Sequence, residues 1–443
     1  RELFRAKDAC PLSGAVFCRY LLNDYELDDL FSNYRRSYIN ENITKSIDKK
    51  DASLGHAMDI NLSASLIRKY TAENGTRSIR FSVTDQRGYQ RIVDWQIVAS
   101  DIAVQTVAIP DDKKYLIWAT KATLFGEVLP EREPQSELSF RYRKVGTTEW
   151  QTVPAVRNGS VLTAEVTGLK NSDNELFSEY EYQVMEGAMA SNVKCQFTTE
   201  KTLQLENCGF EEWSGSKPMY IAASSSDFFW DSGNHGSSSV SAFATDLTTA
   251  DSSVKVEGKY SAKLQSKKIV IKFAAGNLFI GKYLDTQKMN GILGWGRSFT
   301  SRPVALTGYI RYTSGTVDNG GKYIENGEQD KGQVFIALGD WEGQTYGGET
   351  WPLIVDTRDA ATFFDPKGDN VIAYGEQTWD SSTEGENMHP FVIRLNYSLE
   401  RIPTSIVVVA SASKYGDYFE GSTGSSMWLD NLKLVYDESE LEE

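Results

Sequence analysis

Hydrophobic and polar residues alternate along much of this chain, which is the pattern of half-buried β-strands. Ile79, Phe81 and Val83 alternate with charged or hydroxyl residues, and the apolar pattern resumes at residues 92–98 after a polar turn. This arrangement predicts a β-hairpin, and it closes the first predicted domain, residues 1–100. Upstream, apolar and aromatic residues recur at three- and four-residue spacing, which favours a short amphipathic helix at residues 25–40.

Residues 101–200 have shorter predicted strands with a more regular alternation, at residues 115–119, 138–143 and 161–166. Gly168 and Leu169 are followed by Tyr180 and Tyr182. This order resembles a fibronectin type III domain, in which a tyrosine after a Gly-Leu turn anchors the corner of the sandwich. The ten residues between Leu169 and Tyr180 exceed the usual corner. Either tyrosine is therefore a candidate for that role.

From residue 201 to 443 glycine and serine become frequent, which indicates a third and larger sheet domain with many turns. The alternating pattern predicts strands at residues 262–266, 269–273, 304–312, 333–338, 391–395, 405–410 and 427–436. The long segments between them are predicted loops, at residues 220–245, 277–300, 317–331 and 341–387. Loops on a rigid sandwich commonly carry binding residues.

Short motifs frame this third domain, at residues 209–213 (Gly-Phe-Glu-Glu-Trp), 258–264 (Gly-Lys-Tyr-Ser-Ala-Lys-Leu) and 428–434 (Trp-Leu-Asp-Asn-Leu-Lys-Leu). In that order they resemble a jelly-roll β-sandwich of the carbohydrate-binding-module kind, in which the first and last strands pair. Residues 230–234, 276–279, 301–312 and 413–419 are together similar to the putative carbohydrate metabolism domain family. The resemblance implies an all-β protein: two immunoglobulin-like β-sandwich domains followed by a larger jelly-roll β-sandwich.

The length of 443 residues suits several domains, each with its own core. A net charge of −15 disfavours nucleic acid and anionic lipid surfaces as partners. The longest apolar stretch, residues 406–410, is far shorter than a membrane span. No apolar signal segment precedes Arg1, and the family occurs on surface lipoproteins of glycan-degrading gut bacteria. We therefore expect an exported, outer-membrane lipoprotein whose lipid anchor lay on a removed N-terminal segment.

Four cysteines, Cys10, Cys18, Cys195 and Cys208, permit two disulfides in an oxidising compartment. Their spacing contains no Cys-x-x-Cys element, so it indicates neither a zinc site nor a redox site. A Cys10–Cys18 bridge and four buried thiols both remain open.

A core-facing carboxylate near the end of the chain indicates a cation. Strand alternation places Asp430 on the same face as Leu432 and Leu434, where a negative charge needs compensation. The resemblance to carbohydrate-binding jelly rolls implies a site formed by Glu211, Asp430 and the carbonyls around Glu257 and Lys259. Such oxygen ligands suit a structural Ca²⁺. Pairing of Asp430 with a lysine or with backbone amides is the alternative.

Tryptophans concentrate in the predicted loops of the third domain. The C–H face of a sugar ring packs on an aromatic ring, while polar side chains bind the sugar hydroxyls. The candidate carbohydrate-binding residues are Trp230, Asn234, Trp295, Arg302, Trp341, Trp351 and Trp379. Arg302 is the candidate for a uronic or sialic carboxylate. As alternatives, each tryptophan caps the sandwich core and Arg302 forms a structural ion pair.

Glycoside hydrolysis generally needs two carboxylates at a defined separation. Asp231, Asp340 and Asp417 are the candidate catalytic acids. The chain lacks the Glu-x-Asp-x-x-Glu strand motif of a large jelly-roll glycosidase family, and solvated surface acids are the alternative. Only three histidines are present, widely separated in sequence, which disfavours a histidine metal centre or a Ser-His-Asp triad.

The sequence therefore predicts a surface-exposed protein that binds a polysaccharide or host glycan through its jelly roll, with the two leading domains as a stalk. One alternative is a glycoside hydrolase that acts through a carboxylate pair in the jelly roll. The other is an adhesin or structural surface protein, because stacked immunoglobulin-like domains fit it equally well.

Overall fold

The computed structural model describes residues 2–5, 17–22, 25–26, 59–62, 76–84, 90–98, 102–130, 132–170, 176–226, 229–239 and 241–441. Before residue 102 the description is of strands alone: β1 (Glu2–Arg5), β2 (Phe17–Leu22), β3 (Tyr25–Glu26), β4 (Asp59–Leu62), β5 (Thr76–Thr84) and β6 (Gln90–Val98). Strands β5 and β6 pair along their whole length, which confirms the predicted hairpin. Residues 25–26 of the predicted helix belong to β3 instead, and its other residues lie outside the described ones, as does the Cys10–Cys18 bridge.

The next part of the chain is a sandwich of two antiparallel sheets. Its strands are β7 (Val104–Val107), β8 (Lys121–Val128), β9 (Leu138–Lys144), β10 (Gln151–Pro154), β11 (Val156–Asn158), β12 (Val161–Thr167), β13 (Glu179–Glu186), β14 (Met189–Ala190) and β15 (Cys195–Thr198). One sheet holds β10, β9, β13, β14 and β15, and the other holds β11, β12, β8 and β7. The strand predicted at residues 115–119 is wrong, because a 3-10 helix spans Asp111–Leu116.

Tyr180 and Tyr182 have different roles in this sandwich. The Tyr180 hydroxyl accepts a hydrogen bond from the Lys170 backbone N–H at 3.1 Å, next to the Gly-Leu turn. The Tyr182 hydroxyl donates to the Val107 carbonyl at 2.6 Å, and its ring is fully buried. Tyr180 is therefore the residue at the corner. Cys195 and Cys208 carry free thiols.

The third part of the chain contains most of the strands. They are β16 (Ser214–Gly215), β17 (Met219–Tyr220), β18 (Trp230–Asp231), β19 (Thr248–Asp251), β20 (Ser261–Gln265), β21 (Lys267–Ile269), β22 (Lys272–Ala274), β23 (Asn277–Gln287), β24 (Asn290–Trp295), β25 (Arg297–Ser298), β26 (Ala305–Thr313), β27 (Gly332–Gly339), β28 (Gln344–Tyr346), β29 (Glu349–Trp351), β30 (Leu353–Asp356), β31 (Val371–Trp379), β32 (His389–Arg394), β33 (Asn396–Tyr397), β34 (Ser405–Ser411) and β35 (Ser426–Val435). Helix α1 (Asn234–Ser238) and short 3-10 helices at Ser241–Phe243, Ala360–Thr362, Gly416–Tyr418 and Glu438–Leu441 complete the described elements. No helix in the described part of the chain is long and apolar enough to cross a membrane.

Two sheets face each other in this third part. The large sheet has the order β30-β24-β23-β34-β27-β31-β33. Two short strands extend it, because β18 pairs with β23 and β25 pairs with β34. The small sheet has the order β19-β20-β35-β26-β32. Their facing side chains form one buried core, in which Ile336, Val408 and Leu429 are each 0% exposed. The all-β jelly-roll prediction is confirmed. The domain limits at residues 100 and 200 stay predictions.

The last strand lies at the centre of the small sheet. β35 pairs with β20 on one side and with β26 on the other, so the early hairpin does lie beside the last strand. Residues 209–213 form no strand. The preceding residue, Cys208, accepts a hydrogen bond from the Leu432 N–H of β35 at 2.9 Å, and Phe210 packs in the same core as β35.

The other strand predictions differ in outcome. Six of the seven predicted strands correspond to β20, β26, β27, β32, β34 and β35. The strand predicted at residues 269–273 is wrong, because Val270 and Ile271 form the turn between β21 and β22. Residues 277–300, predicted as a loop, hold the β23–β24 hairpin, and residues 341–387 hold β28 to β31.

A buried ion pair joins the sandwich formed by β7 to β15, which we call the second sandwich, to the jelly roll. Arg302 is 2% exposed, and its Nε lies 2.9 Å from Glu200 Oε1. Its two terminal nitrogens donate to the carbonyls of Tyr115, at 2.6 Å, and Ile117, at 2.5 Å, while its guanidinium lies 3.9 Å from the ring centre of Trp118. The carbohydrate-binding role expected for Arg302 is therefore wrong, because every group that could bind a sugar carboxylate is already engaged.

Candidate functional site

The large sheet has a second side, which faces away from the inter-sheet core. Residues directly opposite each other on paired strands share a side, so the pairing defines its rows. We call this side the outer face: Asn277, Ser411, Gln333 and Thr378 form one row, Phe279, Val409, Phe335 and Glu376 the next, and Val407, Ala337 and Tyr374 the third. The rows change from polar to apolar along the strands. One end of the outer face is thus suited to polar ligands.

Aromatic side chains cover the apolar part of the outer face. Phe364 stacks on Phe335 with ring centroids 5.2 Å apart and lies 5.9 Å from Tyr374. Trp341 meets Phe364 edge-on at 6.4 Å. Phe364, from the segment between β30 and β31, and Trp341, from the segment between β27 and β28, therefore pack on the apolar rows of the face. The polar row of Asn277, Ser411, Gln333 and Thr378, which adjoins Glu376, contributes no side chain to these aromatic contacts. This row is the candidate site.

Five side chains interact at the polar end. Glu376 accepts hydrogen bonds from the Tyr374 hydroxyl at 3.0 Å and from the Gln333 amide. Lys414 Nζ donates to Thr378 Oγ1 at 3.1 Å and lies 3.8 Å from Glu376 Oε2. We call this group the Lys414–Glu376 cluster. It presents an amide and a carboxylate on the adjacent strands β27 and β31, and an ammonium group from the segment after β34. These are the groups that bind sugar hydroxyls.

Three tyrosines lie beside this cluster, on the turn that follows Lys414 and on a neighbouring loop. Tyr323 stacks on Tyr415 at 5.8 Å and lies 3.9 Å from Tyr418, centroid to centroid. Tyr418 also meets Phe363 edge-on at 5.0 Å, which connects the turn to the aromatic cover. We call Tyr323, Tyr415 and Tyr418 the tyrosine cluster. Tyr323 is its most accessible ring, at 39% exposure.

A buried carboxylate fixes the position of Tyr323. Glu420 is 8% exposed and accepts hydrogen bonds from the backbone N–H groups of Lys322, Tyr323 and Ile324 at 2.8, 2.8 and 3.1 Å. Three donors to one carboxylate hold the loop against the turn without using any side chain of the cluster. The tyrosine cluster is therefore a preformed surface.

Asp417 lies within this turn, between Lys414 and Tyr418 in the chain. Its carboxyl group has no hydrogen bond or salt bridge to a described residue, and burial raises its pKa to about 6. The neighbouring Tyr418 has its pKa raised to about 12, first by a hydrogen bond with Tyr323 and also by the charge of Asp417. A carboxyl group with a raised pKa next to a polar cluster has the chemistry of a general acid.

Other predicted site residues lie inside the sandwich. Trp230 is 0% exposed in the inter-sheet core and donates through Nε1 to the Glu206 carbonyl at 2.7 Å. Asn234 is also 0% exposed, and its side chain binds the backbone of Met219, Leu247 and Thr248. Neither residue has a free group for a sugar, so the predicted carbohydrate-binding role is wrong for both.

The four remaining tryptophans have different environments. Trp295 is 3% exposed under the outer face, and Trp379 packs edge-on against Phe391 at the border of the core. Trp351 is 6% exposed, with Arg297 over its ring at 4.5 Å, and lines a groove of about 630 Å³. Trp341 alone belongs to the aromatic cover. Burial removes Trp295 as a surface platform, and Arg297 occupies one face of Trp351.

The other two candidate catalytic acids have structural partners. Asp231 is 2% exposed and accepts hydrogen bonds from the backbone N–H groups of Ser232 and Tyr283 at 2.8 and 2.7 Å. Asp340 forms an ion pair with Arg401 at 2.7 Å. No described contact links either acid to Asp417. The geometry therefore favours Asp417 among the three candidates.

The structure brings the predicted metal-site residues together. Glu211 accepts hydrogen bonds from Lys259 N–H at 3.0 and 2.8 Å, and Asp430 accepts from Val256 and Glu257 N–H at 2.7 and 3.3 Å. Burial, and after it the charge of Glu211, raises the pKa of Asp430. Neither carboxylate has a salt bridge to a described residue, and no three acidic, histidine or cysteine side chains in the described ranges form a metal-binding group. The calcium site stays a prediction.

We expect Ca²⁺, added after chelation, to raise the Tm of the full chain by about 5 °C at saturating concentration. The reason is that a cation would relieve the repulsion between Glu211 and Asp430. Differential scanning calorimetry measures the shift, with Mg²⁺ as the control ion because it demands a smaller octahedral site. An unchanged Tm in EDTA and in Ca²⁺ would contradict the calcium site and leave backbone amides as the partners of both acids.

Sequence reasoning missed most of the candidate site. Gln333, Tyr374 and Glu376 were not singled out, and Glu376 lay in a segment predicted as a loop. Lys414 and Asp417 were within the motif at residues 413–419, and that motif was the available signal. Tyr323 lay in a predicted loop without any distinguishing pattern.

The third part of the chain is thus an all-β jelly roll whose large sheet has an aromatic and polar outer face. The family model described as putative carbohydrate metabolism domain matches residues 209–435, just over half of the chain. The chain belongs to this family, which confirms the resemblance and connects the protein with carbohydrate metabolism. No curated protein matches the chain.

Several solved structures are similar to this chain. A putative glycoside hydrolase from Bacteroides thetaiotaomicron has 18% identity and a TM-score of 0.40, with 70% of this chain and 99% of that chain covered. A putative glycoside hydrolase from Bacteroides vulgatus has 20% identity and a TM-score of 0.38, with 53% and 98% covered. TmCBM61 in complex with β-1,4-galactotriose has 9% identity and a TM-score of 0.22, with 53% and 97% covered.

Proposed function

We propose that the protein binds a carbohydrate at the polar end of the outer face, between the Lys414–Glu376 cluster and the tyrosine cluster. The observation that carries this proposal is the convergence of Gln333, Glu376 and Lys414, because Lys414 precedes Tyr415 in the chain and the accessible ring of Tyr323 stacks on Tyr415. A sugar ring would pack its C–H face on the tyrosine, and its hydroxyls would bind the amide, carboxylate and ammonium groups. Membership of the family supports a glycan as the ligand.

We further propose that binding takes place at the bacterial cell surface, with the preceding sandwiches as a stalk and a lipid anchor at the N-terminal side. The support for this location is the resemblance of the chain to surface lipoproteins of the family. The buried Arg302–Glu200 pair supports the stalk, because it fixes the second sandwich against the jelly roll. An adhesin would instead use this surface for a host protein, and the glycan experiment separates the two.

Replacing Tyr323 by alanine is expected to weaken polysaccharide binding at least about 10-fold, because a ring platform commonly contributes more than 1 kcal/mol. Affinity gel electrophoresis of the full chain against a panel of polysaccharides measures the retention. Phe243→Ala is the matched control, since Phe243 is 59% exposed and is not part of the tyrosine cluster. Glu376→Gln should also weaken binding. Retention that is equal for the wild type and both site variants would place the sugar elsewhere, and no retention on any polysaccharide would remove the proposal.

The second candidate function is glycoside hydrolysis. The raised pKa of Asp417, about 6 because of burial, favours it. Glu376, which accepts from Tyr374 and Gln333 and lies near Lys414, is the available second carboxylate. One acid that holds its proton and one carboxylate surrounded by donors are the two roles that the reaction needs.

A further inference from the structure

Two β-hairpins present their tips side by side at one edge of the jelly roll. β21 and β22 are joined by Val270 and Ile271, and β23 and β24 are joined by Lys288 and Met289. Lys272 links the hairpins, because its Nζ donates to the Met289 carbonyl at 3.0 Å and to Asn290 Oδ1 at 2.8 Å. We call Val270, Ile271, Lys288 and Met289 the hairpin tips.

The apolar residues of the hairpin tips are unusually accessible. Ile271 is 74% exposed, Val270 49% and Met289 42%. Ile271 is the most exposed large hydrophobic residue in the described part of the chain. None of the three belongs to a hydrophobic core cluster. Packing within the protein therefore does not account for them.

Turn chemistry does not account for them either. Val270 has φ +57° and Lys288 has φ +60°, in the left-handed region where glycine and asparagine are favoured. A β-branched valine is especially unfavourable there, so the turn is formed in spite of its sequence. Residues kept in a strained conformation commonly have a functional reason.

The charges around the hairpin tips are positive. Lys268 and Lys288 are exposed and have no salt bridge to a described residue. Asp285 is the single acid of the two hairpins, so lysines outnumber acids there. It accepts hydrogen bonds from the Tyr346 hydroxyl and the Gln287 amide, each at 2.6 Å. In a protein with a net charge of −15, this is a local cationic and apolar surface. Lysines that flank exposed aliphatic side chains match an anionic lipid interface, because phosphates attract the ammonium groups while the acyl boundary accepts the aliphatic side chains.

We propose that the hairpin tips dock on an anionic lipid surface, with Ile271, Val270 and Met289 inserted at the headgroup level and Lys268 and Lys288 on lipid phosphates. The expectation from net charge, which disfavours such surfaces, applies to the molecule as a whole. Attraction between charges is screened beyond about 10 Å. The sign of the charges at the point of contact therefore decides whether the surface attracts anionic lipid. Docking would hold the jelly roll against the membrane surface.

Co-sedimentation of the full chain with lipid vesicles tests the proposal. We expect binding to vesicles of phosphatidylcholine with phosphatidylglycerol, weaker binding to phosphatidylcholine alone, and loss of binding at high salt. Ile271→Asp should lower the partition coefficient at least about 10-fold, because it places a charge where the most exposed apolar side chain would insert. Lys268→Glu combined with Lys288→Glu should lower it by a similar factor.

Val156→Asp is the matched control, since Val156 is 66% exposed on the second sandwich. Its partition coefficient should equal that of the wild type. An unchanged Tm and unchanged polysaccharide retention of Ile271→Asp establish that the variant is folded. Wild-type binding that Ile271→Asp leaves unaltered, or absence of vesicle binding at low salt, would overturn the proposal and leave the hairpin tips to a protein partner.

Discussion

Arg302→Ala is expected to lower the free energy of unfolding by about 3–5 kcal/mol. The substitution leaves Glu200 buried without its counter-charge and leaves the carbonyls of Tyr115 and Ile117 without their donor. It also removes the guanidinium from the ring of Trp118. These partners belong to the second sandwich and Arg302 belongs to the jelly roll. The lost free energy is therefore that of the contact between the second sandwich and the jelly roll.

Scanning calorimetry of the full chain measures the effect. Arg394→Ala is the matched control, because Arg394 also pairs with a glutamate, Glu438, but its side chain is 55% exposed. An exposed pair of this kind contributes roughly 0–1 kcal/mol. The Arg302 variant should also separate the unfolding of the two sandwiches into distinct transitions. Equal Tm values for the two variants would contradict the structural role of Arg302.

The cost of Arg302→Ala should increase with pH. Burial raises the pKa of Glu200 to about 7, and Arg302 opposes that rise by favouring the charged form. Without Arg302 the folded-state pKa of Glu200 rises further, so the folded variant holds its proton to higher pH. A group with a raised pKa contributes stability below its ordinary pKa, and this contribution is lost as the pH rises through the folded value. The Tm difference between wild type and variant should therefore be larger at pH 8 than at pH 5.5.

The strands of the jelly roll could be predicted from the sequence where a strand pairs with another strand on each of its two sides. β34 and β35 have runs of buried apolar residues, and their limits agree with the sequence pattern to within one residue. The β23–β24 hairpin could not be predicted, because its glycines make room for side chains distant in sequence. A Cβ on Gly294 would lie 2.4 Å from Trp351 Cγ. In the sequence Gly294 indicates a loop, but in the structure it makes room for the ring of Trp351.

The roles of single polar and aromatic residues were harder to predict than the strands. The roles of Trp230 and Arg302 could not be predicted because Trp230 binds a backbone carbonyl, and Arg302 binds two carbonyls and Glu200 from another part of the chain. Arg302 binds carbonyls more than 180 residues away in sequence. The candidate site has the same property: Gln333, Glu376 and Lys414 come from three separate segments that only the sheet order brings together. Asp417 was predicted because it lies in a motif of the family.

Asp417→Asn is expected to lower reducing-sugar release by about 10²- to 10⁴-fold if the jelly roll cleaves its glycan, because asparagine cannot supply a proton to the leaving oxygen. Wild-type activity on a polysaccharide that the full chain binds should fall as the pH rises through about 6. The direction follows from the role: a general acid acts in its protonated form, and burial keeps the proton on Asp417 up to that pH. Asp340→Asn is the control, since Asp340 is held by Arg401.

The same pair of variants separates hydrolysis from binding. Asp417→Asn should retain the polysaccharide in affinity gels, because Tyr323, Gln333 and Lys414 remain in place. Loss of cleavage with retained binding assigns the proton donor. Activity equal to wild type in Asp417→Asn would contradict that assignment. Release of no sugar from any retained polysaccharide would remove the hydrolase and leave the binding protein, because the platform and the hydrogen-bonding groups of the outer face do not depend on the protonation of Asp417.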